Sequence, residues 1–285
     1  MSQGFADFWR TIYRNKKSFS GVIILAVFIF MAIFGPMLAS LDMTVKFGNR
    51  YASPSWSHWL GTDYGGRDTF LQLVYGSRDV LTIGLFAALF TLVIGFVVGA
   101  VSGFAGGRTD TALMFVTNLF LTIPSFPVLM IVAALVQIKN PVAFSFILAV
   151  WSWAPLARAV RSQLLSLKNR EFIVACRIMG LRMPYILSRE ILPNLTPYLA
   201  INFIMAAQGA IVASVGLMML GLAPYSPTNW GMMIQLAVQN TGGIFNPKGY
   251  IYLISPILCL GLFQMSCIFF SNGLEEALNP RLRSN

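Results

Sequence analysis

Long apolar runs separated by short polar stretches organise this chain, and six of them approach or exceed the roughly 20 residues that a helix needs to cross a bilayer. They fall at about 19–41, 80–105, 111–137, 141–157, 197–222 and 250–272. The pattern predicts an all-α membrane protein with six transmembrane helices. The fourth run is short, and helix is expected to continue past it through Arg158 and Arg161. The first run, Phe19–Leu41, is too long for the apolar core of a secretory signal and lacks a small-residue cleavage site, so it reads as a retained span. The chain then divides into an N-terminal segment 1–18, a membrane domain 19–272 with polar connections at 42–79, 158–196 and 223–249, and a tail 273–285.

The connection at 158–194 breaks the apolar pattern most sharply. It carries seven of the 20 Lys and Arg residues, and apolar and charged positions alternate in it as in short amphipathic helices. Gly180 is placed to end one such helix, and Leu181 and Pro184 open the next. Phe172, Ile173, Cys176, Ile178 and Met179 then form an apolar contact surface ringed by Arg170, Arg177 and Arg182. A polar loop patterned in this way is a docking surface for another protein, or an amphipathic helix resting on anionic lipid.

Composition agrees with a membrane chain: 56% of residues are hydrophobic, 11% are charged and the mean hydropathy is +0.71, which excludes a soluble domain. Charge then sets the orientation, because Lys and Arg collect in short cytoplasmic loops. With the N-terminus inside, 14 Lys and Arg lie on the cytoplasmic side and six outside (Lys46, Arg50, Arg67, Arg78, Lys139 and Lys248). Both termini are therefore expected in the cytoplasm. The net charge of +10 follows this sidedness rather than forming the single basic face of a nucleic-acid binder.

Catalytic chemistry is sparse. The spans are almost free of ionisable side chains, whereas an ion-coupled carrier is expected to hold an intramembrane acid or base. Thr117, Asn118, Gln208 and Gln264 are the polar groups that remain there. His58 is the only histidine, too few for a triad or a zinc site, and no phosphate-binding G-x-x-x-x-G-K-[ST] loop occurs. Cys176, Cys259 and Cys267 have no metal-site spacing and read as packing residues. No catalytic residue, metal site or nucleotide site is expected, so the energy for any transport must come from a partner.

Two features mark the spans themselves. Gly95, Gly99, Gly103 and Gly107 recur every four residues, a spacing that lets two helix backbones approach, either as static packing or as a moving seam. Pro124 and Pro127 interrupt the third span, so the stretch Thr122–Pro127 is expected to kink and is a candidate for a pathway wall. In the first external segment, Asp63 or Asp68 is placed to cap a helix beginning near Thr69, and Trp56 and Trp59 suit the membrane interface. Phe70, Leu71, Leu73 and Val74 would then cover the bilayer surface or meet an external delivery protein.

Four blocks give the chain a resemblance. His58-Trp-Leu-Gly-Thr-Asp63 with Gly66-Arg67-Asp68 and Tyr75-Gly76 resembles the external signature of permease subunits of peptide/nickel-type ABC importers, with Trp59 in place of the usual Pro. Glu171–Asn194 resembles their cytoplasmic coupling loop, Ala175, Gly180, Leu192, Pro193 and Asn194 falling on its pattern and Val174 and Cys176 departing from it. Gly216–Leu222, with Pro227 and Trp230–Met233, resembles a third block, although Ser214 and Val215 replace a common Glu-Ala pair. Asn272-Gly273-Leu274 and Ala277–Arg281 resemble a shortened form of the closing motif.

The resemblance implies the type I ABC importer fold, six spans with both ends inside and a cytoplasmic coupling-helix loop. It further implies a multi-pass subunit of a bacterial or archaeal plasma (inner) membrane, paired with a second homologous permease, two ATP-binding subunits and an extracellular or periplasmic solute-binding protein. ATP and Mg would be held by the ATP-binding subunits, with no cofactor on this chain and no nucleic-acid partner. Carried over residue by residue, Glu171, Ala175, Arg177, Gly180, Leu192 and Pro193 would couple to the ATPase. His58, Gly61, Thr62, Asp63, Gly66, Arg67 and Asp68 would face the external receptor. The solute expected is a peptide or similar oligomer, with oligosaccharides, opines and nickel chelates as alternatives within the family and an autonomous secondary carrier as the alternative outside it.

The charge asymmetry generates a test of sidedness. Thiols introduced by Ser166→Cys and Asn246→Cys are expected to react with an impermeant reagent only from the cytoplasmic and only from the outer side, respectively; the reverse pattern inverts the topology.

Overall fold

The computed structural model describes residues 10–136, 138, 140–223, 226–241, 245 and 247–278. Lys139, Asn246, Arg281 and Arg283, and the part of the closing motif beyond Leu278, lie outside the described residues. Helix dominates, and among the described residues the β-pairing is a single antiparallel bridge between Thr62 and Asp68. The main helices in chain order are α1 (Lys16–Leu38), α2 (Thr69–Ala105), α3 (Gly107–Thr122), α4 (Ser125–Leu135), α5 (Pro141–Ser152), α6 (Ala154–Leu167), α7 (Glu171–Ile178), α8 (Leu192–Met219), α9 (Trp230–Thr241) and α10 (Tyr250–Leu278).

The six apolar runs become four long helices and two bent pairs. The helical stretches Lys16–Leu38, Thr69–Ala105, Met183–Met219 and Pro247–Leu278 are each long and apolar enough to cross a membrane, while α3–α4 and α5–α6 meet that measure only as pairs bent by 83° and 55°. The fourth run does continue as helix past Arg158 and Arg161, but with a bend at Trp153, where Pro155 in the first turn of α6 lacks the N–H that a straight helix would use. Pro124 precedes α4 and breaks the third run in the same way.

α2 begins earlier than its hydropathy indicates. It is continuous from Thr69 for 37 residues, about 55 Å of helix, well beyond the hydrocarbon thickness. Its first two turns are therefore continuous with the second span instead of forming a separate helix lying on the bilayer. Leu73 and Val74 are buried inside the protein there. Asp68 caps the helix, its Oδ1 accepting from Leu71 N at 2.8 Å.

α2 is the central element, packed against α1, α5, α6 and α8. The glycine strip explains how α6 comes so close. A Cβ on Gly95 would lie 2.9 Å from Leu156, one on Gly99 2.3 Å from the Ala157 carbonyl oxygen, and one on Gly103 2.8 Å from Leu164. The strip is thus an internal seam with this chain's own α6 and is not left open for a partner subunit. Gly107 is outside it, at the start of α3 with open space around it. The first and last long helices are tied at the basic end, where Asn15 caps α1 and its Nδ2 donates to Glu276 at 2.9 Å.

Packing of this kind leaves no room for one added methyl. Gly99→Ala is expected to destabilise the protein by about 1–3 kcal/mol, the usual range for overpacking. Gly261→Ala, where a Cβ meets nothing within 4 Å, is expected to be neutral or slightly stabilising. Thermal unfolding in detergent measures both; equal behaviour of the two variants would exclude the seam.

Candidate functional site

Two polar regions at opposite ends of the helices carry the sequence-identified residues. At the basic end, α7 has Glu171 in its first turn and Arg177 in its last, the polarity favoured by the helix dipole. It ends in a Schellman motif: Leu181 N donates to Cys176 O at 3.1 Å and Gly180 N to Arg177 O at 3.0 Å. Gly180 sits at φ 72°, a left-handed conformation that costs glycine little and other residues more. After Arg182, a short turn starting at Met183 with Pro184 passes into a π-helical stretch, Ile186–Ile191, and then into α8. The widened turn precedes Pro193, whose missing N–H and bulky ring disturb a tight α-turn. Asn194 Nδ2 donates to the Glu190 carbonyl at 2.6 Å, satisfying a backbone acceptor beside that proline.

The α7 surface divides differently from the sequence-level expectation. Ile173 and Cys176 turn inward into a cluster with Ala100, Val160, Leu164, Ile186 and Ile191, so they hold α7 to the membrane helices and are unavailable to a partner. The spacing of three residues puts both on one face, but only the position of α2 and α6 shows which face is covered. Phe172, Val174, Ile178, Met179 and Tyr185 are exposed, Ile178 at 81% and Met179 at 66%, leaving a large apolar surface on the outward side. Glu171, Ala175, Gly180, Leu192 and Pro193 are exposed around it. Arg177 is exposed too, and its guanidinium stacks 4.6 Å from the centre of the Phe104 ring near the end of α2.

A second tie lies beside this one. Arg161 of α6 makes a two-pronged ion pair with Asp110 of α3, each contact 2.5 Å, and Ser102 of α2 donates to the same carboxylate. Arg158 Nη2 donates to Asn118 Oδ1 at 2.7 Å. Sequence reading missed the Asp110 clasp, whose partner is 51 residues away. The available signal was that Asp110 is the one acid in the short connection between the second and third spans.

At the opposite end, the His58–Asp68 motif folds into a compact loop around Asp63. That carboxylate is fully buried and accepts from Gly65 N, Arg67 N, the Arg67 guanidinium and Gln72 Nε2 at 2.7–3.0 Å. Burial opposes the charge on Arg67, but its hydrogen bonds and attraction to Asp63 outweigh it, and the guanidinium pKa lies above its ordinary value. The same guanidinium covers the Tyr64 ring at 4.8 Å. His58 Nδ1 lies 2.7 Å from Asp68 Oδ2, which joins the start of the motif to the α2 cap. Thr62 is 4% exposed, and its hydroxyl bridges the Asn49 carbonyl and Ala52 N. Gly61 and Gly66 both have positive φ and pack so closely on the Ala52 and Lys46 carbonyls that a side chain would collide.

The structure therefore brings these seven residues together, but Gly61, Thr62, Asp63 and Gly66 face inward, and the exposed part of the segment is formed by others, including Trp56 at 97% and Trp59 at 63%. The loop is fixed to the helix ends by Gln72, which Tyr252 of α10 reaches at 3.4 Å, and by Tyr51, whose hydroxyl donates to the Asn240 carbonyl of α9. Trp230, from the third block, is fully buried and donates from Nε1 to the Leu73 carbonyl at 3.0 Å, so that block locks α9 onto α2.

Comparison with known proteins agrees with this arrangement. Residues 95–284 match the family model described as the binding-protein-dependent transport system inner membrane component, and residues 3–54 match the N-terminal transmembrane domain of oligopeptide transport permease C. An oligopeptide transport system permease protein of Bacillus subtilis is 34% identical over 277 residues, covering 94% of this chain and 87% of that protein. A dipeptide transport system permease protein of the same organism is 32% identical over 282 residues, covering 97% and 86%. An oligopeptide transport system permease protein of Haemophilus influenzae is 32% identical over 285 residues, covering 97% and 88%. With a family model spanning the chain from within α2 through the amphipathic loop to the last helix, and relatives aligned along most of their length, this chain belongs to the binding-protein-dependent transport system inner membrane components, the multi-pass permease subunits of ATP-driven importers.

Proposed function

We propose that this chain forms half of the membrane pathway of a peptide importer and takes its driving force through α7. The observation that carries the reading is the two-sided α7: its inner face is packed into the helix bundle while its outer face leaves Phe172, Ile178 and Met179 exposed among Arg170, Arg177 and Arg182. Such a surface fits an apolar groove with an acidic rim on an ATP-binding subunit. A displacement of α7 is passed to α2 and α6 through Ile173, Cys176 and the Arg177–Phe104 stack, because close-packed interiors move as units. Glu171, Ala175, Arg177, Gly180, Leu192 and Pro193 belong to this coupling element, the segment 158–196 is cytoplasmic, and both termini lie on the same side.

Segments 42–79 and 223–249 face outward and form the seat of a solute-binding protein. In it the Asp63 network, with His58, Gly61, Thr62, Gly66, Arg67 and Asp68, gives the seat its shape, and exposed neighbours such as Trp56 make the contact. A second homologous permease completes the pathway, and two ATP-binding subunits hold ATP and Mg. The relatives compared are named for oligopeptide and dipeptide transport, which favours peptides over oligosaccharides, opines or nickel chelates.

In proteoliposomes, ATP-driven uptake of oligopeptides is expected only when this chain, its sister permease, the ATPases and the receptor are present together. Uptake driven by an ion gradient through this chain alone would overturn the reading. Gly180→Pro, which forces φ to about −65° where the native value is 72°, is expected to leave insertion intact while separating ATP hydrolysis from uptake. Normal receptor-stimulated uptake by that variant would remove α7 from the coupling role.

Asp63→Ala leaves the largely buried Arg67 without its counter-charge. Breaking a buried ion pair in this way typically costs about 3–5 kcal/mol. The variant is expected to unfold the 42–68 loop, read as new protease cleavage there, and to abolish receptor-dependent uptake. An intact loop with normal uptake would contradict the framing role.

A further inference from the structure

The outward faces of the long helices are apolar, as lipid requires: Val27, Phe30 and Ile33 on α1 and Ile257, Leu258 and Ile268 on α10 are all exposed. One region departs from this. On α8, positions 205, 209, 212, 216 and 219 follow one another at alternating steps of four and three, which puts them in a single stripe, and all are exposed or half-exposed. The stripe borders a depression of about 640 Å³ that also takes in Gln208, Gln264 of α10 and Phe126 of α4. Gln208 and Gln264 sit near the middle of their apolar runs, 197–222 and 250–272, where an unsatisfied amide is costly. Each donates its side-chain N–H to the other's backbone carbonyl, at 2.9 and 3.4 Å. Among the described residues neither side-chain oxygen has a protein partner, and both residues are only half-buried.

A second observation points to the same place. The elbow between α3 and α4, residues 122–127, is exposed throughout, is bent by 83° and contains Pro124 and Pro127. Non-helical backbone at membrane depth is tolerated where it meets protein or lines a water-filled cavity, not where it meets lipid. The elbow adjoins the stripe directly: the Phe126 ring lies 3.1 Å from where a Cβ on Gly216 would be. Mid-depth amides and irregular backbone thus share one wall, and none of the residues lining it is ionisable.

We propose that this wall is where the subunit touches its solute in transit, and that it recognises peptide backbone through neutral amide hydrogen bonds. Gln208 and Gln264 supply the polar contact, Met205 and Phe126 supply adaptable apolar contact, and Gly209 leaves space for the chain to pass. A lining without fixed charge binds backbone amides, common to all peptides, and imposes no preference for charged side chains. The inference rests on the permease reading and deepens it.

The test uses the complete transporter in proteoliposomes. In a parent protein whose half-buried Cys259 is replaced by Ala, leaving only the buried Cys176 and Cys267, Gly209→Cys is expected to react with a membrane-impermeant cationic thiol reagent above background, and receptor-delivered oligopeptide should slow that reaction. Val27→Cys, on the apolar face of α1, should stay unreactive. Gln208→Leu is expected to raise the half-saturating peptide concentration by roughly two- to tenfold, the equivalent of one neutral hydrogen bond. Labelling of Gly209→Cys only by a lipid-soluble reagent would assign the stripe to lipid. A cross-link from Gly209→Cys to the sister permease in every nucleotide state would make it a static helix interface. Either result overturns the proposal, as does uptake of charged and neutral peptides with unchanged half-saturation in Gln208→Leu. If the wild-type complex fails to take up any peptide, the permease reading of the solute fails first, and the two failures remain distinguishable.

Discussion

A bilayer core offers no hydrogen-bond partner to a peptide group, so each backbone N–H and C=O within it must find one inside the protein. This constraint makes the chain helical and gives meaning to its exceptions. The α3–α4 elbow, the π-helical turn before Pro193 and the bend at Trp153 each interrupt regular helix; the elbow borders α8 through Phe126, Trp153 is buried, and Asn194 adds a side-chain donor to the Glu190 carbonyl beside Pro193. Where the chain leaves regular helix at its ends, polar side chains take over. Asp63 alone accepts bonds from two backbone N–H groups and two side chains, which lets an irregular loop remain ordered above α2.

Around that helical frame, close approach of α2 and α6 replaces the hydrophobic effect as the adhesive, since lipid tails are as apolar as the helices they surround. Glycine at 95, 99 and 103 brings the backbones together, and the Asp110–Arg161 pair fastens the basic end of the same group of helices. The outcome is a rigid unit to which α7 is attached by Ile173 and Cys176. An amphipathic helix bound firmly on one face and open on the other suits the transfer of a push, because little of the displacement is lost in the joint. At the opposite end the polar motif around Asp63 is taken up in internal bonding, and the exposed surface is formed by the residues around it.

Much of this was legible from residue order alone. Six apolar runs, the basic connection at 158–194, the close of α7 at Gly180 and a capped helix start near Thr69, with Asp63 or Asp68 as the cap, are local properties, governed by hydropathy, charge and short-range hydrogen bonding, and a reader of the sequence recovers them; the structure selects Asp68. That the helix begun near Thr69 runs on unbroken into the second span was hidden because Gln72, Ser77, Arg78 and Asp79 lower its hydropathy, although Gln72 and Ser77 are buried in bonds to the protein.

Direction was what the sequence could not supply. Ile173 and Cys176 have the same character as Ile178 and Met179, and only the presence of α2 and α6 beneath the first pair decides which pair is covered and which stays exposed. A glycine strip shows that some helix packs closely there, as static packing or a moving seam, but only the structure shows that the helix is α6. Asp63 and Arg67 read as a surface motif until burial shows them bonded to each other. By itself the sequence determined the apolar runs, the local caps and the family, because these depend on neighbours along the chain. The tertiary structure alone decided which faces are covered, because burial depends on residues tens or hundreds of positions away.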